Sequence, residues 1–534
     1  MKYLLLAGIS LFSTLSFAQS KKFSFKLGSE YELPKKSEDL SFFGNDKDGI
    51  VNLSLKKEEL SIIRFDPKTL TQTAEKTIAL PELTNNYNSE MVVDFDNNYF
   101  WVHSDWNRKE EKELLYYDKI DVVSGKITSS GNKMIETTRM AGDLVRSGGG
   151  WPALKMGNKY QFNFSADRKR LLVSYKLFPL ERDDKINHDY IGLYVFDENM
   201  NKLWGDEFEM PYTEAIMDNI DFSVDSRGNA YLLAKVYDSE KRKERDKETG
   251  KAGYHYEVLK FTKGNKKIIN KPIIIDNYFI KEAALIENSL NEMIISCTYS
   301  KKSKGTGTDG IFLAALDANG AIIKYKKGYY EFPLAELEKF ESARNKRKME
   351  KNDDYEAANL TVRDLVVESD GSVFIACEEY YVIVRTYTDS RGGTRTTYTY
   401  YYGDIIAAKL NAAGNFEWLR KIPKSQKGST GRGTMSFKLV FDAQGYYFLY
   451  LDNLKNMELK EDEAPKMHVD GWGGQVVVAK IDKAGVLTKE LVFDTREEDI
   501  MIFPSLFTRI NQNQFIGRVT LKKNLYKPIL ITSN

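Results

Sequence analysis

The sequence predicts an all-β fold built from repeated four-stranded meanders. Three observations carry this. Strand–turn–strand units recur along nearly the whole chain. Their turns are rich in Asp, Asn and Gly. Aromatic residues are abundant and proline is scarce, with 32 Tyr and 29 Phe against 12 Pro in 534 residues. Aromatic side chains suit a pleated, half-buried surface, and self-similarity at a fixed spacing is the mark of a repeat architecture.

One unit is a strand ending in Asp or Asn, a short turn and a second strand. It reads RFDPKTLTQTAEKTIALP from Arg64, YVFDENMNKLWGDEFEMP from Tyr194, ALDANGAIIKYKKGYYEFP from Ala315, KLNAAGNFEWLRKIP from Lys409 and KIDKAGVLTKELVFD from Lys480. Asp and Asn favour turns and Gly supplies positive φ, so these are hairpins. A second unit precedes each hairpin: an alternating strand, a polar turn and an apolar-aromatic strand. Examples are DFSVDSRGNAYLLAKVY from Asp221, DLVVESDGSVFIACEEY from Asp364 and KLVFDAQGYYFLYLDN from Lys438.

Joined, the two units make one meander of strands a to d. Complete copies start near Leu40, Met91, Tyr160, Ile220, Lys281, Leu360 and Ser436. From Phe503 an eighth copy supplies strands a, b and c and then the chain ends. The missing d strand matches FSFKLGSEYELP from Phe23, which resembles the strands ending in TIALP and YYEFP. An N-terminal strand that completes the last meander closes a ring and leaves no open sheet edge. The turns DANG, NAAGNFEW and DSRGN resemble those of the β-propeller superfamily, and the likeness covers essentially the whole chain after the N-terminal segment, from 19 to 534. It extends to uncharacterised secreted bacterial propellers and implies a fold but no activity. The expected fold is therefore an eight-bladed propeller of four-stranded antiparallel blades, with a short helical insertion near 334–358. A seven-bladed ring, or a pair of smaller β-domains, is the alternative.

The N-terminus, MKYLLLAGISLFSTLSFAQS, carries Lys2, an apolar run from Leu4 to Leu15, and small residues at Ser16 and Ala18 before Gln19. This is the pattern of a secretory signal peptide over residues 1–18, cleaved near Ala18–Gln19. No later stretch reaches the roughly 18 apolar residues needed to span a bilayer. The expected location is the periplasm or the extracellular space.

Lys and Arg number 78 against 77 Asp and Glu. Such balance argues against a dedicated nucleic-acid binder, which carries a basic excess. Only Cys297 and Cys377 occur. With His103 and Ala234 they fall at one position of the strand after the a–b turn, which points to packing. Two readings stay open: buried small side chains, or a disulfide permitted by an oxidising compartment.

In a four-stranded meander the a–b and c–d turns share one face, and the b–c turns and d–a links share the other. The first set is short. The second holds the insertions: LERDDKINHD from Leu180, DSEKRKERDKETGKAG from Asp238, SKKSKGTGTDG from Ser300, RTYTDSRGGTRTTYTYYYG from Arg385, the segment 453–474, and the d–a links from Gly142, Leu334 and Pro423. Binding residues concentrate on loops held by a rigid scaffold. The charge run from Asp238 reads as a solvated tip. The aromatic and glycine-rich loops are the candidates for recognition, because amphipathic rings and guanidinium groups suit sugars and peptides. The candidate binding residues are Arg146, Trp151, Arg385, Arg391, Arg395, Tyr398, Tyr400, Tyr401 and Trp472. A competing reading makes the Tyr398–Tyr402 run part of a long β-ribbon packed on a neighbouring blade or another subunit.

Catalytic motifs fail in context. Gly305–Gly310 satisfies G-x-G-x-x-G but precedes a strand rather than opening a helix. Asn45–Gly49 lacks the glutamate that a calcium loop requires and reads as an a–b turn. His103, His188, His255 and His468 show no metal-ligand spacing. No catalytic residue, metal or cofactor is predicted. The expected function is recognition of a peptide, glycan or cell-envelope partner, with no nucleic acid and no membrane span. The alternative is a carboxylate-based glycan hydrolase or lyase in the central depression, with Asp143, Asp404 and Asp470 in or beside that face.

Overall fold

A computed structural model describes residues 20–534 apart from 46, 81–86, 96, 147–153, 158, 182, 248, 276–277, 289, 305–306, 318–320, 352–356, 389–393, 429–434, 471–472 and 512. Eight sheets, each built on a four-stranded antiparallel meander, follow one another in chain order. Blade 1 runs from Glu38 to Ala79, blade 2 from Asn88 to Thr137, blade 3 from Gln161 to Thr213 and blade 4 from Met217 to Ile273. Blade 5 runs from Phe279 to Glu331, blade 6 from Leu360 to Ile422 and blade 7 from Phe437 to Asp494. Blade 8 takes strands a to c from Thr508–Asn511, Gln514–Lys522 and Leu525–Ser533, and its fourth strand is Phe23–Leu27. The chain is an eight-bladed β-propeller closed by its first described strand.

That closure is built in detail. Phe23–Leu27 pairs with Ile529–Ser533 in unbroken antiparallel register. Tyr31–Glu32 adds a second short pairing to the same strand. The closing strand also grips blade 7: Phe23 meets Tyr447 edge-on at 5.5 Å, and Phe25 stacks on Phe493 at 4.1 Å.

The core lies between blades rather than inside them. One apolar cluster fills each junction around the ring, including that of blade 8 with blade 1, where Ile516 and Leu530 meet Ile50, Ile63 and Phe65. Each blade is thus sandwiched, and its second strand is buried on both faces. Met293–Ser300 and Gly445–Asp452 are buried along their whole length. Such strands read as near-continuous apolar runs, as doubly covered strands must. The outer d strands are largely exposed, as in Gln72–Ala79.

First strands of neighbouring blades touch, so strand a is innermost. Polar groups there reach from one blade to the next. The Glu287 carboxylate of blade 5 accepts from the Ala166 N–H of blade 3 at 3.0 Å and from the Ser226 N–H of blade 4 at 2.8 Å. Arg518 of blade 8 pairs with Asp39 of blade 1. The first strands of blades 1, 2, 4, 5 and 6 also share a register shift toward the insertion-bearing end, between Asp39 and Ser41, Ser89 and Met91, Asn219 and Asp221, Ile280 and Glu282, and Val362 and Asp364. These are β-bulges, which sharpen twist and re-aim side chains.

Cys297 and Cys377 are free and buried. They do occupy matching places, but Cys297 packs in the blade 4–5 junction and Cys377 in the blade 5–6 junction. Equivalent positions face equivalent junctions rather than each other. His103 is likewise a packing residue, stacked on Trp101 at 4.4 Å. The insertion expected to be helical near 334–358 contains helices Leu334–Leu337 and Ala343–Lys351.

Two measurements test this architecture. Phe23→Ala should cost about 3–5 kcal/mol of stability, the usual range for deleting a buried aromatic ring, read by chemical denaturation; a loss under about 1 kcal/mol would contradict closure by this strand. The native protein should leave both thiols unreactive to a thiol reagent, with two thiols titrating after denaturation.

Candidate functional site

The most distinctive element of the insertion-bearing face is a ribbon rising from blade 6. Its strands b and c, Val373–Thr388 and Thr394–Leu410, are about twice the length of their counterparts in blade 7, Gly445–Asp452 and Gln475–Asp482. Past a register shift between Glu378 and Tyr380, the pairing continues unbroken from Tyr380 opposite Tyr402 to Thr388 opposite Thr394. Side chains alternate between the faces of a strand. Val382, Val384 and Thr386 therefore share a side with Tyr400, Tyr398 and Thr396. Tyr381, Ile383, Arg385 and Tyr387 share the other with Tyr401, Thr399 and Thr397. Both sides are open near the tip: Val384 is 54% exposed, Tyr387 49% and Tyr398 51%.

The root of the ribbon is fixed. Tyr381 stacks on Tyr401 at 4.7 Å, and Tyr380 tilts against Tyr402 at 5.0 Å. Tyr402 is buried in the blade 7–8 cluster, and Tyr380 and Tyr400 pack against it. The short strand Gln426–Gly428 pairs with Tyr400–Tyr402 and runs parallel to His468–Val469, so the d–a link of blade 6 and the b–c loop of blade 7 buttress the ribbon.

Beneath the root lies a buried ionic network. Lys424 Nζ stands 2.8 Å from Glu378 Oε1, both side chains wholly inaccessible. The Glu378 carboxylate also accepts from Arg363 Nε at 2.9 Å and from Ser436 Oγ at 2.7 Å. Lys421 pairs with Asp404 at 3.1 Å and with Glu341 of the helical insertion at 2.7 Å. Lys489 pairs with Asp452 at 2.8 Å. Burying ions is costly and adds little net stability over apolar packing, but removing one partner leaves an uncompensated buried charge. Burial and the neighbouring Asp404 push the Glu379 carboxyl up to about 8.

The sequence-predicted residues separate accordingly. Arg385 is exposed on one side of the ribbon and Tyr398 on the other. Tyr401 lies on the Arg385 side but belongs to the root, where Lys427 approaches its ring at 6.0 Å. Tyr400 packs inward, as the ribbon reading anticipated. Arg395 holds the register position opposite Tyr387. Arg146 ends the strand Asp143–Arg146, which pairs with Leu154–Gly157 in the link between blades 2 and 3. Trp151, Arg391 and Trp472 lie outside the described residues. Among the described residues, no group of His, Cys, Asp and Glu is arranged to hold a metal ion.

Two clefts that the sequence reading did not single out open on the same face at blades 4 and 5. One, of about 690 Å³, is lined by Tyr254, Tyr278, Ile273, Ile274, Ile275 and Ile280, with Lys251 and His255 at its margin. The other, of about 940 Å³, is lined by Lys243, Glu244, Arg245, Lys247, Phe279 and the segment Lys301–Lys304. Nearer the axis, the inner strands carry half-buried Asp221 and Asp364, and Glu282. Burial raises the pKa of all three. Each is engaged across a blade junction: Asp221 by the Leu285 N–H, Glu282 by Thr361 and Arg363, and Asp364 by Lys438.

No family model matches the chain, and no curated protein matches it. Among solved structures, an uncharacterised protein of Listeria monocytogenes is 8% identical over 81% of this chain and 92% of its own, with a TM-score of 0.34. An acylaminoacyl peptidase of Pyrococcus horikoshii is 10% identical over 91% of this chain and 56% of its own, with a TM-score of 0.32. A mannose phosphorylase of Leishmania mexicana is 9% identical over 71% of this chain and 85% of its own, with a TM-score of 0.23. Likeness at this level carries no function to the chain, and the fold assignment rests on the strand pairing itself.

The Glu379 environment makes a testable statement about pH. A carboxyl with a raised folded-state pKa binds more protons folded than unfolded, so its contribution is fully present below the ordinary carboxylate pKa and is lost as pH rises toward about 8. Across about pH 5 to pH 9, wild-type Tm should fall relative to that of Glu379→Gln, with the gap widest at the alkaline end. Parallel melting curves would show that this carboxyl ionises as an ordinary one.

Proposed function

We propose that this chain is a non-enzymatic binding or scaffold protein, acting in the periplasm or outside the cell. It recognises a peptide, glycan or cell-envelope partner through the insertion-bearing face, with the blade 6 ribbon as principal contact. The observation that supports this is the ribbon itself. A two-stranded hairpin standing clear of other structure is marginal in water. Here one is rooted in a buried ionic network and presents Val382, Val384, Tyr387 and Tyr398 to solvent on both sides. Exposed apolar and aromatic patches of this kind mark contact surfaces, and Tyr and Arg are the residue types that dominate binding energy.

The hydrolase or lyase reading has one observation in its favour, the raised pKa of Asp221, Glu282 and Asp364 on the inner strands. The same residues weigh against it, because each is occupied with an adjoining blade. A general acid needs a free proton and room for substrate. The binding reading is the stronger.

A photo-crosslinking amino acid placed at Val384 or Tyr398 should yield discrete adducts with a partner in cells, while one placed at Gln444 on the short-turn face should not. No adduct from the ribbon positions, or equal adducts from all three, would refute the ribbon as the contact.

A further inference from the structure

The two clefts at blades 4 and 5 belong together. Gly250 lines the basic cleft while Lys251 and Ala252 line the apolar one. Phe279 lines the first while Tyr278 and Ile280 line the second. The same two backbone segments therefore form the wall between them, and a ligand crossing that wall passes from cations to aliphatic and aromatic surface within about the width of one residue.

The described lining of the basic cleft carries more cations than carboxylates. Six cations line it: Lys243, Arg245, Lys247, Lys301, Lys302 and Lys304. The one acid in the lining, Glu244, receives Lys235 at 3.0 Å. Glu331 receives Lys301, and the Asp309 carboxylate accepts the Lys301 N–H at 2.6 Å. Among the described residues, Lys243, Lys247 and Lys304 form no ion pair. Like charges brought together by two separate loops repel one another, and an anionic occupant relieves that repulsion. The volumes, about 940 and 690 Å³, fall among those of ligand-binding clefts.

We infer that this double cleft binds an acidic polypeptide segment, with carboxylates along the lysine-lined cleft and an aliphatic or aromatic side chain in the pocket of Ile273, Ile274, Tyr254 and Tyr278. The apolar half selects the class. Acidic polysaccharides carry the charge but no aliphatic side groups, so they use only half of the surface. The inference rests on blades 4 and 5 alone and stands apart from the ribbon on blade 6. It also reverses the reading of the charge run from Asp238 as a mere solvated tip. That loop carries three of the cleft's cations, Lys243, Arg245 and Lys247, and its turn closes on itself, through the Thr249 N–H on the Asp246 carboxylate at 2.7 Å and Arg245 Nε on the Gly250 carbonyl at 3.0 Å.

The test is fluorescence anisotropy with a labelled peptide of six glutamates followed by leucine and phenylalanine. Binding should weaken as salt rises, since exposed charges are screened. Charge reversal in the K247E/K304E double variant should weaken it about tenfold or more. Ile274→Asp, at a position 69% exposed, should weaken it several-fold with unchanged Tm. A protein with the ribbon tip replaced by a short turn should bind the peptide as wild type does. Absence of binding, indifference to both variants, or equal competition by oligogalacturonate would overturn the inference. Loss of binding on ribbon replacement alone would overturn its independence and return the contact to blade 6.

Discussion

Apolar surface lies on both faces of every blade, and the neighbouring blades cover most of it, with link residues such as Leu337, Ile500 and Ile502 filling in. Phe23–Leu27 on Ile529–Ser533 is the pairing that lets the last junction form. Without it the Leu525–Ser533 strand would present an unpaired edge, and the cluster of Ile516 and Leu530 with Ile50, Ile63 and Phe65 would lose its frame. The junction clusters are equivalent links in a circle, so opening one weakens its neighbours. The position of every loop on the insertion-bearing face follows from this, because the loops are held by strands whose orientation the closed ring sets.

The rigidity of the ring is spent unevenly. On the short-turn face, Asp and Glu side chains tie turns together, as Glu287 does across three blades. On the opposite face, blade 6 concentrates buried charge under a single projecting element. Lys424, Glu378, Arg363 and Ser436 join two consecutive blades at one point. Glu341 and Lys421 fasten the helical insertion to the same place.

Blade order and closure were legible in the sequence because turn chemistry is local: Asp221 to Tyr237 announces two strands and the turn between them without reference to the rest of the chain. The second strands were legible too, as apolar-aromatic runs, though not their burial on both faces. The bulges of the first strands were not, since one extra residue such as Ile220 or Arg363 leaves no compositional trace. Arg385, Tyr398 and their neighbours stood out by residue type, but which of them share a side depends on a register that pairs positions 381 and 401. The ionic network joins Glu341, Glu378, Asp404 and Lys424, and no pattern along the chain links those four. The basic cleft was missed for the same reason, because half of its cations come from one blade and half from the next.

The bond between the first strand and the last has a consequence in time and in concentration. Phe23 is made long before Ser533, yet they are partners, so the ring stays a horseshoe until the strand Leu525–Ser533 has been made. During that interval every molecule offers an identical empty slot and an identical loose strand. Two molecules folding side by side can each lend its strand to the other at little energetic cost, the route by which element exchange produces dimers. Refolding at high concentration therefore favours linked pairs of rings, whereas dilution favours the self-closed form.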